Sequence, residues 1–179
     1  MDQQHSIKHK VSISGIGLHT GQEVTLTFMP APVNHGICFK RIDLEGQPLI
    51  EADVKYVTET ERGTTLDKKG AKLQTIEHVL AACTGLKIDN LLIELNAEEP
   101  PILDGSSIQF TKALKEAIPI AQNAMRKYFI VREEICYEDP ETGIKIQAFP
   151  ADDYSITVSI DYDSKVLGFQ ETTLKSLDD

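Results

Sequence analysis

The chain has 179 residues, of which 41% are hydrophobic and 26% are charged, and its formal net charge is −10. This length accommodates one full domain, or one domain and part of another, and the composition is that of an ordinary globular protein. The acidic balance argues against a nucleic-acid partner, and no apolar run approaches the roughly 18 residues of a membrane span. The N-terminal stretch MDQQHSIKHK contains no hydrophobic signal segment, so the sequence predicts a cytoplasmic protein.

Alternating apolar and polar residues predict several strands in the first half of the chain, because a half-buried antiparallel strand has a side-chain period of two. A hairpin is predicted in TTLDKKGAKLQ, with its turn at Lys69-Gly70. The predicted strands are IKHKVSI (7–13), EVTLTFM (23–29), GICFKR (36–41) and NLLIEL (90–95).

A glycine-rich connection, SGIGLHTGQ (14–22), joins the first two of these strands. Glycines permit backbone conformations that are closed to other residues, so exposed amides in this loop are candidates for holding a phosphate. A bulged β-turn is the alternative and is favoured on local grounds. In that case His19 is a loop residue without an assigned task.

A first helix is predicted in TIEHVLAACTGL (75–86), with Thr75 as its N-cap and Gly85 as the residue that ends it. His78 lies opposite the apolar stripe on a helical wheel, on a side that carries few charges. We therefore expect this helix to be covered on both sides. The stripe itself consists of Ile76, Val79, Leu80 and Cys83. Ala81 and Ala82 are expected to point away from it.

A second, normally amphipathic helix is predicted after EEPPILDGSS (98–107), with Asp104 or Ser106 as a candidate cap. Strands with two helices on one side predict an α+β fold, a two-layer sandwich built on a mainly antiparallel sheet, for residues 1–122. Residues 118–127 contain a proline and a polar break and resemble a domain boundary.

Strand patterns then resume in the stretches KYFIVREEICYE, GIKIQAF and YSITVSIDY. Three strands without a covering layer do not make a stable domain. Residues 127–179 are therefore predicted to be the incomplete N-terminal part of a second α+β domain.

The three cysteines, Cys38, Cys83 and Cys136, are far apart and form no CxxC pair. Each lies in an apolar run, so we expect buried, reduced thiols rather than a disulfide or a metal site. The Glu77–His78 pair invites a zinc hypothesis. From spacing alone this hypothesis is weak, because the HExxH helix of zinc proteases presents two histidines and only one is present here.

Four motifs in order, SGIGLHTG, TTL, TIEHVLAACTGLKIDNLLIEL and EEPPILDGSS, resemble the UDP-3-O-acyl-N-acetylglucosamine deacetylases of lipid A biosynthesis. The similarity runs from about residue 7 to residue 162. It implies a zinc-dependent amide hydrolase with two similar α+β domains and an active site between them. The outward face of the first helix would then be covered by the second domain.

The resemblance also implies roles for individual residues. His78 matches a zinc ligand and Glu77 matches the general base that takes a proton from the metal-bound water. Thr60 and His19 match positions that flank the substrate, UDP-3-O-acyl-N-acetylglucosamine, and Asp104 matches a position that supports the site. Family members often carry a cysteine where this chain has Gly63.

The chain departs from the family pattern because none of its five histidines follows His78. The family takes its remaining zinc ligands from a later H-x-x-x-D helix, since a catalytic zinc needs three protein ligands. We therefore expect an N-terminal fragment that binds zinc poorly and is inactive alone. Some members of the family it resembles are fused to a hydroxyacyl-carrier-protein dehydratase, and the sequence leaves open whether this chain is the front of such a fusion. The alternative is a non-catalytic module that binds a nucleotide sugar or a partner. Exposed helix or sheet surfaces are expected to promote self-association.

Overall fold

The computed structural model describes residues 2–177, which form two compact units, residues 2–126 and 127–177. Unit 1 is the N-terminal of these and unit 2 the C-terminal. The strands of unit 1 are β1 (Gln3–Ile7), β2 (Val11–Ile16), β3 (Glu23–Pro30), β4 (Ile37–Arg41), β5 (Leu49–Glu51), β6 (Val57–Glu59), β7 (Thr65–Lys68), β8 (Ala71–Leu73), β9 (Leu91–Leu95) and β10 (Pro119–Met125). Its helices are α1 (Glu77–Gly85) and α2 (Ile108–Glu116).

The main sheet of unit 1 has five strands in the order β2-β3-β9-β4-β5, and all its pairs are antiparallel except β4 with β9. One row of large apolar side chains crosses four of these strands, because Phe28 is in register with Ile93, and Phe39 is in register with both Ile93 and Ile50. All four side chains are fully buried. The alternation in EVTLTFM therefore predicted β3 correctly, with its even-numbered residues turned to the core.

Both helices contribute their apolar stripes to the same core. Phe110 of α2 packs edge-on against Phe28, with ring centroids 6.4 Å apart, while Val79 and Cys83 of α1 are buried in the same cluster. The predicted α+β fold, with a mainly antiparallel sheet and two helices, is confirmed. The predicted hairpin at Lys69-Gly70 also forms, between β7 and β8.

The last residue of α1 is Gly85, as predicted, but the capping at both ends differs from the prediction. Helix α1 begins at Glu77 and its N-cap position is Ile76, without a side-chain cap. Thr75 has a left-handed backbone (φ 52°), and its hydroxyl donates a hydrogen bond away from the helix. At the other end, Lys87 rather than Gly85 adopts the left-handed conformation that follows the helix.

The predicted strand 7–13 is two strands in different sheets, since residues 8–10 make a turn between β1 and β2. β1 pairs with β10, which occupies most of the segment that resembled a domain boundary. A buried polar network holds this pair in place. The side-chain amide of Asn90 donates to Gln4 and Gln122, and Arg126 forms an ion pair with Asp89 at 2.7 Å. These contacts attach the last strand of unit 1 to its body.

Unit 2 consists of two separate antiparallel hairpins. One pairs β11 (Ile135–Glu138) with β12 (Lys145–Ala148), and the other pairs β13 (Ile156–Asp161) with β14 (Phe169–Leu174). None of the side chains described between residues 127 and 177 is buried. The prediction of a buried Cys136 was therefore wrong, because its thiol is exposed, whereas Cys38 and Cys83 are buried as expected. No helix in the described part of the chain is both long and apolar enough to span a bilayer.

Candidate active site

A polar pocket of about 360 Å³ opens on unit 1 where three segments meet. These segments are the glycine-rich loop after β2, the loop between β6 and β7, and the residues that lead into α1. A site assembled from separated loops on a sheet scaffold is a common place for a ligand. The residues that line the pocket are His19, Glu59, Glu61, Arg62, Gly63, Thr65, Gln74 and Thr75.

Glu77 and His78 occupy the first turn of α1, and Glu77 lies next to the pocket residue Gly63, although neither Glu77 nor His78 lines the pocket itself. The Oε1 of Glu77 lies 3.9 Å from the Nε2 of His78, and the other oxygen accepts a hydrogen bond of 3.0 Å from the amide of Thr64. Their side chains are 38% and 32% exposed, respectively. The carboxylate is thus fixed through one oxygen, while the second oxygen and the neighbouring imidazole remain accessible.

The environment of this helix face differs in part from the prediction. Ala82 is only 2% exposed and belongs to the core, so it does not contribute to an outward apolar face. Ala81 is exposed, as the helical wheel predicted. That a second domain covers this face remains a prediction.

Gly63 lies against the catalytic candidates. A Cβ built there would be 3.5 Å from the hydroxyl oxygen of Thr75 and 3.6 Å from Oε1 of Glu77, which are ordinary contact distances. A side chain at position 63 would therefore fit without strain and lie beside Glu77. The absence of a thiol there leaves this side of the carboxylate open.

The glycine-rich loop brings His19 to the pocket, but its amides do not form a phosphate site. The amides of His19 and Thr20 both donate to the carboxylate of Glu99, at 3.0 Å each to Oε2. The amide of Gly17 donates to the carbonyl of Gln22. With these donors engaged inside the protein, the geometry favours the structural turn over the phosphate-binding alternative.

Glu99 is a site residue that sequence reasoning missed. It is fully buried and accepts a further hydrogen bond of 2.8 Å from the hydroxyl of Thr75. Burial acts to raise the pKa of its carboxyl, but the hydrogen bonds from Thr20, Thr75 and His19 outweigh burial and hold the pKa below its usual value. In the sequence, Glu99 is marked only by its place between a predicted strand and two prolines. Acidic residues are also common at such places in exposed turns, so this position did not indicate a buried site residue.

Thr60 and Asp104 occupy loops without a contact that defines a role. Thr60 is exposed in the loop between β6 and β7, next to the pocket residues Glu59 and Glu61. The carboxylate of Asp104 accepts hydrogen bonds from the hydroxyl and amide of Ser106, which lower its pKa. Ser106 meets part of the predicted capping role, because its hydroxyl accepts a hydrogen bond of 3.2 Å from the amide of Ile108, the first residue of α2. The N-cap position itself is Ser107, which makes no side-chain cap.

Three basic residues, Lys40, Arg41 and Arg62, could meet an anionic ligand, and of these only one borders the pocket. Lys40 pairs with Glu94, and Arg41 is 5% exposed and pairs with Asp43 at 2.7 Å. Arg62 lines the pocket and is exposed. It is therefore the candidate for contact with a negatively charged ligand.

The donor set was tested against the zinc site that the resemblance implies. Across residues 2–177, no three His, Cys, Asp or Glu side chains come together to hold a metal ion. A catalytic zinc takes three protein ligands and an open position for water. His78 supplies one accessible imidazole, so the described residues match part of such a site and not a complete one.

Comparison with known proteins gives the family. The model of the UDP-3-O-acyl N-acetylglycosamine deacetylase family matches residues 4–179, and the chain belongs to this family. It is 44% identical over 177 residues to a protein of Bacteroides thetaiotaomicron named bifunctional enzyme LpxC/FabZ, covering 99% of this chain and 38% of that protein.

Two other relatives agree with this assignment. A protein of the same bifunctional name from Chlorobaculum tepidum is 45% identical over 175 residues, covering 98% of this chain and 38% of that protein. A UDP-3-O-acyl-N-acetylglucosamine deacetylase of Chromohalobacter salexigens is 39% identical over 173 residues, covering 97% of this chain and 56% of that protein. The chain thus spans between about two fifths and just over half of the length of these relatives.

Proposed function

We propose that this chain carries one part of the active site of a zinc-dependent deacetylase that removes the acetyl group from UDP-3-O-acyl-N-acetylglucosamine in lipid A biosynthesis. In this proposal Glu77 is the general base and His78 is a zinc ligand. One observation carries it: a carboxylate and an imidazole lie 3.9 Å apart, each about a third exposed, in a member of the deacetylase family, and the carboxylate neighbours residues that line a polar pocket.

The geometry of Glu77 suits a general base. Its Oε2 is held by the amide of Thr64, which fixes the orientation of the carboxylate, and its Oε1 is left to accept a proton. A zinc ion held in part by His78 would supply Lewis acidity and an activated water. A carboxylate positioned as a general base, the role proposed for Glu77, contributes roughly 10²–10⁴-fold to the rate of a hydrolysis.

His78 and the pocket residues have complementary tasks in this proposal. His78 presents its Nε2 on the same side as Glu77, so that the base and the metal ligand act at one point. His19 and Thr60 flank the substrate, and Arg62 lies where a negatively charged group of a nucleotide sugar would enter the pocket. These residues bind and orient, while Glu77 moves the proton.

We further propose that this chain alone is inactive. Its described residues gather no three side chains that could hold a metal ion, and the relatives it matches contain additional sequence. The test is to measure zinc content and deacetylation of UDP-3-O-acyl-N-acetylglucosamine with the purified 179-residue chain. We expect substoichiometric zinc and no turnover; tight equimolar zinc or turnover would refute inactivity.

The roles of Glu77 and His78 are tested in a longer polypeptide, in which this chain is followed by the remaining sequence of a full-length deacetylase relative. There we expect Glu77→Gln to lower kcat by at least about 100-fold with zinc retained, and His78→Ala to lose zinc. Glu94→Gln is a matched control, since Glu94 pairs with Lys40 outside the pocket. Full activity of Glu77→Gln would contradict the proposal. Binding of UDP by the longer polypeptide without any turnover would instead favour a non-catalytic nucleotide-sugar module.

A further inference from the structure

Glu99 connects segments of the pocket that are distant in sequence. Four neutral donors converge on its carboxylate: the amide of His19, the amide and hydroxyl of Thr20, and the hydroxyl of Thr75. The distances range from 2.8 Å for Thr75 to 3.2 Å for the longer of two contacts with His19. One buried side chain thus links the glycine-rich loop to the residues that lead into α1.

The glycine-rich loop has a shape that admits this carboxylate. A Cβ at Gly17 would lie 2.6 Å from Oε2 of Glu99 and 2.4 Å from the hydroxyl oxygen of Thr20, both too close for a real contact. Glycine at position 17 therefore makes room for both Thr20 and Glu99. The backbone of the loop thus passes close to the buried carboxylate. A hydrogen bond at the surface would not need so close an approach.

Thr75, the second residue bound by Glu99, lies in the segment that leads into α1. It is 5% exposed, has a left-handed backbone and stands two residues before Glu77. Its hydroxyl donates to Oε1 of Glu99, the oxygen that also receives the longer contact from the amide of His19. His19 and Thr75 both line the pocket, so the shared carboxylate sets where these two sides of the pocket lie.

We propose that Glu99 is a positioning residue whose buried carboxylate holds His19 and the segment leading into α1 in one fixed arrangement at the pocket. Glu99 touches neither Glu77 nor the open part of the pocket, so it acts through His19, Thr20 and Thr75. The relevance of this arrangement to deacetylation rests on the proposed function. The positioning itself does not, and it is measured without catalysis.

The first test uses the whole chain with Glu99→Gln, a nearly isosteric change that replaces one acceptor oxygen by an NH₂ donor. We expect amide exchange at His19 and Thr20 to accelerate at least about tenfold, because their acceptor is lost or weakened. The imidazole resonances of His19 should shift as the loop moves. Glu94→Gln removes a carboxylate on β9 that pairs with Lys40, and it should change neither the exchange rates nor the His19 resonances.

Thr75→Val supplies the second test, since it keeps the shape of the side chain and removes one donor. Thr75 and His19 share Glu99 as acceptor, so we expect Thr75→Val to accelerate exchange at the His19 amide as well. The effects of Thr75→Val and Glu99→Gln should be non-additive in the double variant. If each hydrogen bond only stabilised its own surroundings, the effects of the two substitutions on exchange would add.

Three outcomes would overturn the positioning role: unchanged His19 and Thr20 exchange in Glu99→Gln, altered exchange with an unmoved His19 imidazole, or additive effects of the two substitutions. Thermal unfolding of each variant establishes that it is folded, and Thr75→Val keeps the test available if Glu99→Gln does not fold. Failure of the proposed function would appear differently. The longer polypeptide would then show no deacetylation, while Glu99→Gln would still accelerate exchange at His19 and Thr20.

Discussion

Unit 1 and unit 2 carry the same kind of strand sequence and reach opposite degrees of burial. Every buried hydrophobic side chain of the described residues lies between Ile7 and Ala117, and none lies in unit 2. EVTLTFM and YSITVSIDY alternate equally well, yet Leu26 is fully buried while Val158 is 48% exposed. Alternation therefore predicts a strand with an apolar face, and burial requires a second layer to cover that face.

The two units also differ in how their strands are connected. The main sheet of unit 1 has five strands and receives both helices, whereas unit 2 consists of two-stranded hairpins. An isolated two-stranded hairpin is marginally stable in water. The stability of the chain, and with it the geometry around Glu77 and His78, is therefore expected to come from unit 1.

The largest expected effect is a difference in stability between two phenylalanine substitutions, one in each unit. Phe28→Ala removes a fully buried ring that packs on Phe110 and should lower the free energy of unfolding by about 3–5 kcal/mol. Phe169→Ala in unit 2 removes a ring that is 63% exposed, and should change it by less than about 0.5 kcal/mol. Chemical denaturation of both variants measures the difference. Equal losses would show that unit 2 has a core of its own.

Thiol reactivity distinguishes the units without substitution. Burial raises the pKa of the Cys83 thiol to about 12, and burial together with Glu51 raises that of Cys38. Cys136 is exposed. We expect iodoacetamide at pH 8 to modify Cys136 at least about tenfold faster than the other two, since the thiolate is the reactive form and buried thiols react only after opening. Peptide mass spectrometry measures the rates, and similar rates at all three cysteines would contradict this burial pattern.

Self-association should follow from the exposed apolar face of β13, where Ile156, Val158 and Ile160 are each more than 40% exposed. Ile160→Lys should reduce it, whereas Val54→Lys, at a position of unit 1 that is 83% exposed, should not. Light scattering at increasing concentration provides the measurement. A monomer at high concentration in the unsubstituted chain would contradict the expectation.

The smallest expected effect is on how the free energy of unfolding depends on pH in acid. The pKa of Glu99 is below its usual value of 4.5 in the folded chain, so its contribution to stability is present above about pH 4.5 and is lost as the pH falls through the folded pKa. Glu99→Gln cannot titrate, so its stability should fall less steeply between pH 5 and pH 3. The difference is at most one proton, about 1.4 kcal/mol per pH unit. Equal slopes by urea titration would show that Glu99 is not shifted, and Glu94→Gln is the control.

Local patterns predicted much of unit 1 correctly. The period-two stretches predicted β3, β4 and β9, and the apolar stripe predicted which residues of α1 enter the core, because these features depend on neighbours in the chain. Ala82 was assigned wrongly, since the core beside α1 is wider than its four-residue stripe.

The features that the sequence did not reveal depend on distant contacts. β10 pairs with β1 across more than a hundred residues, and no local signal in IPIAQNAM indicates that partner. Thr75 follows the pattern of an N-cap, yet its hydroxyl binds Glu99, a residue 24 positions later. The motifs around Glu77 and His78 identified the family, whereas the pocket beside them was visible only once three loops were placed together.

Amide hydrogen exchange along the whole chain tests most directly whether the body that carries Glu77 and His78 is the only part with a buried core. We expect strong protection in β3, β9 and α1, and exchange near the intrinsic rate throughout residues 127–177, because local opening costs little where few side chains are buried. Protection in residues 127–177 comparable to that of β3 would contradict this picture. Rapid exchange in α1 would do so as well, because Glu77 and His78 would then lack a fixed support.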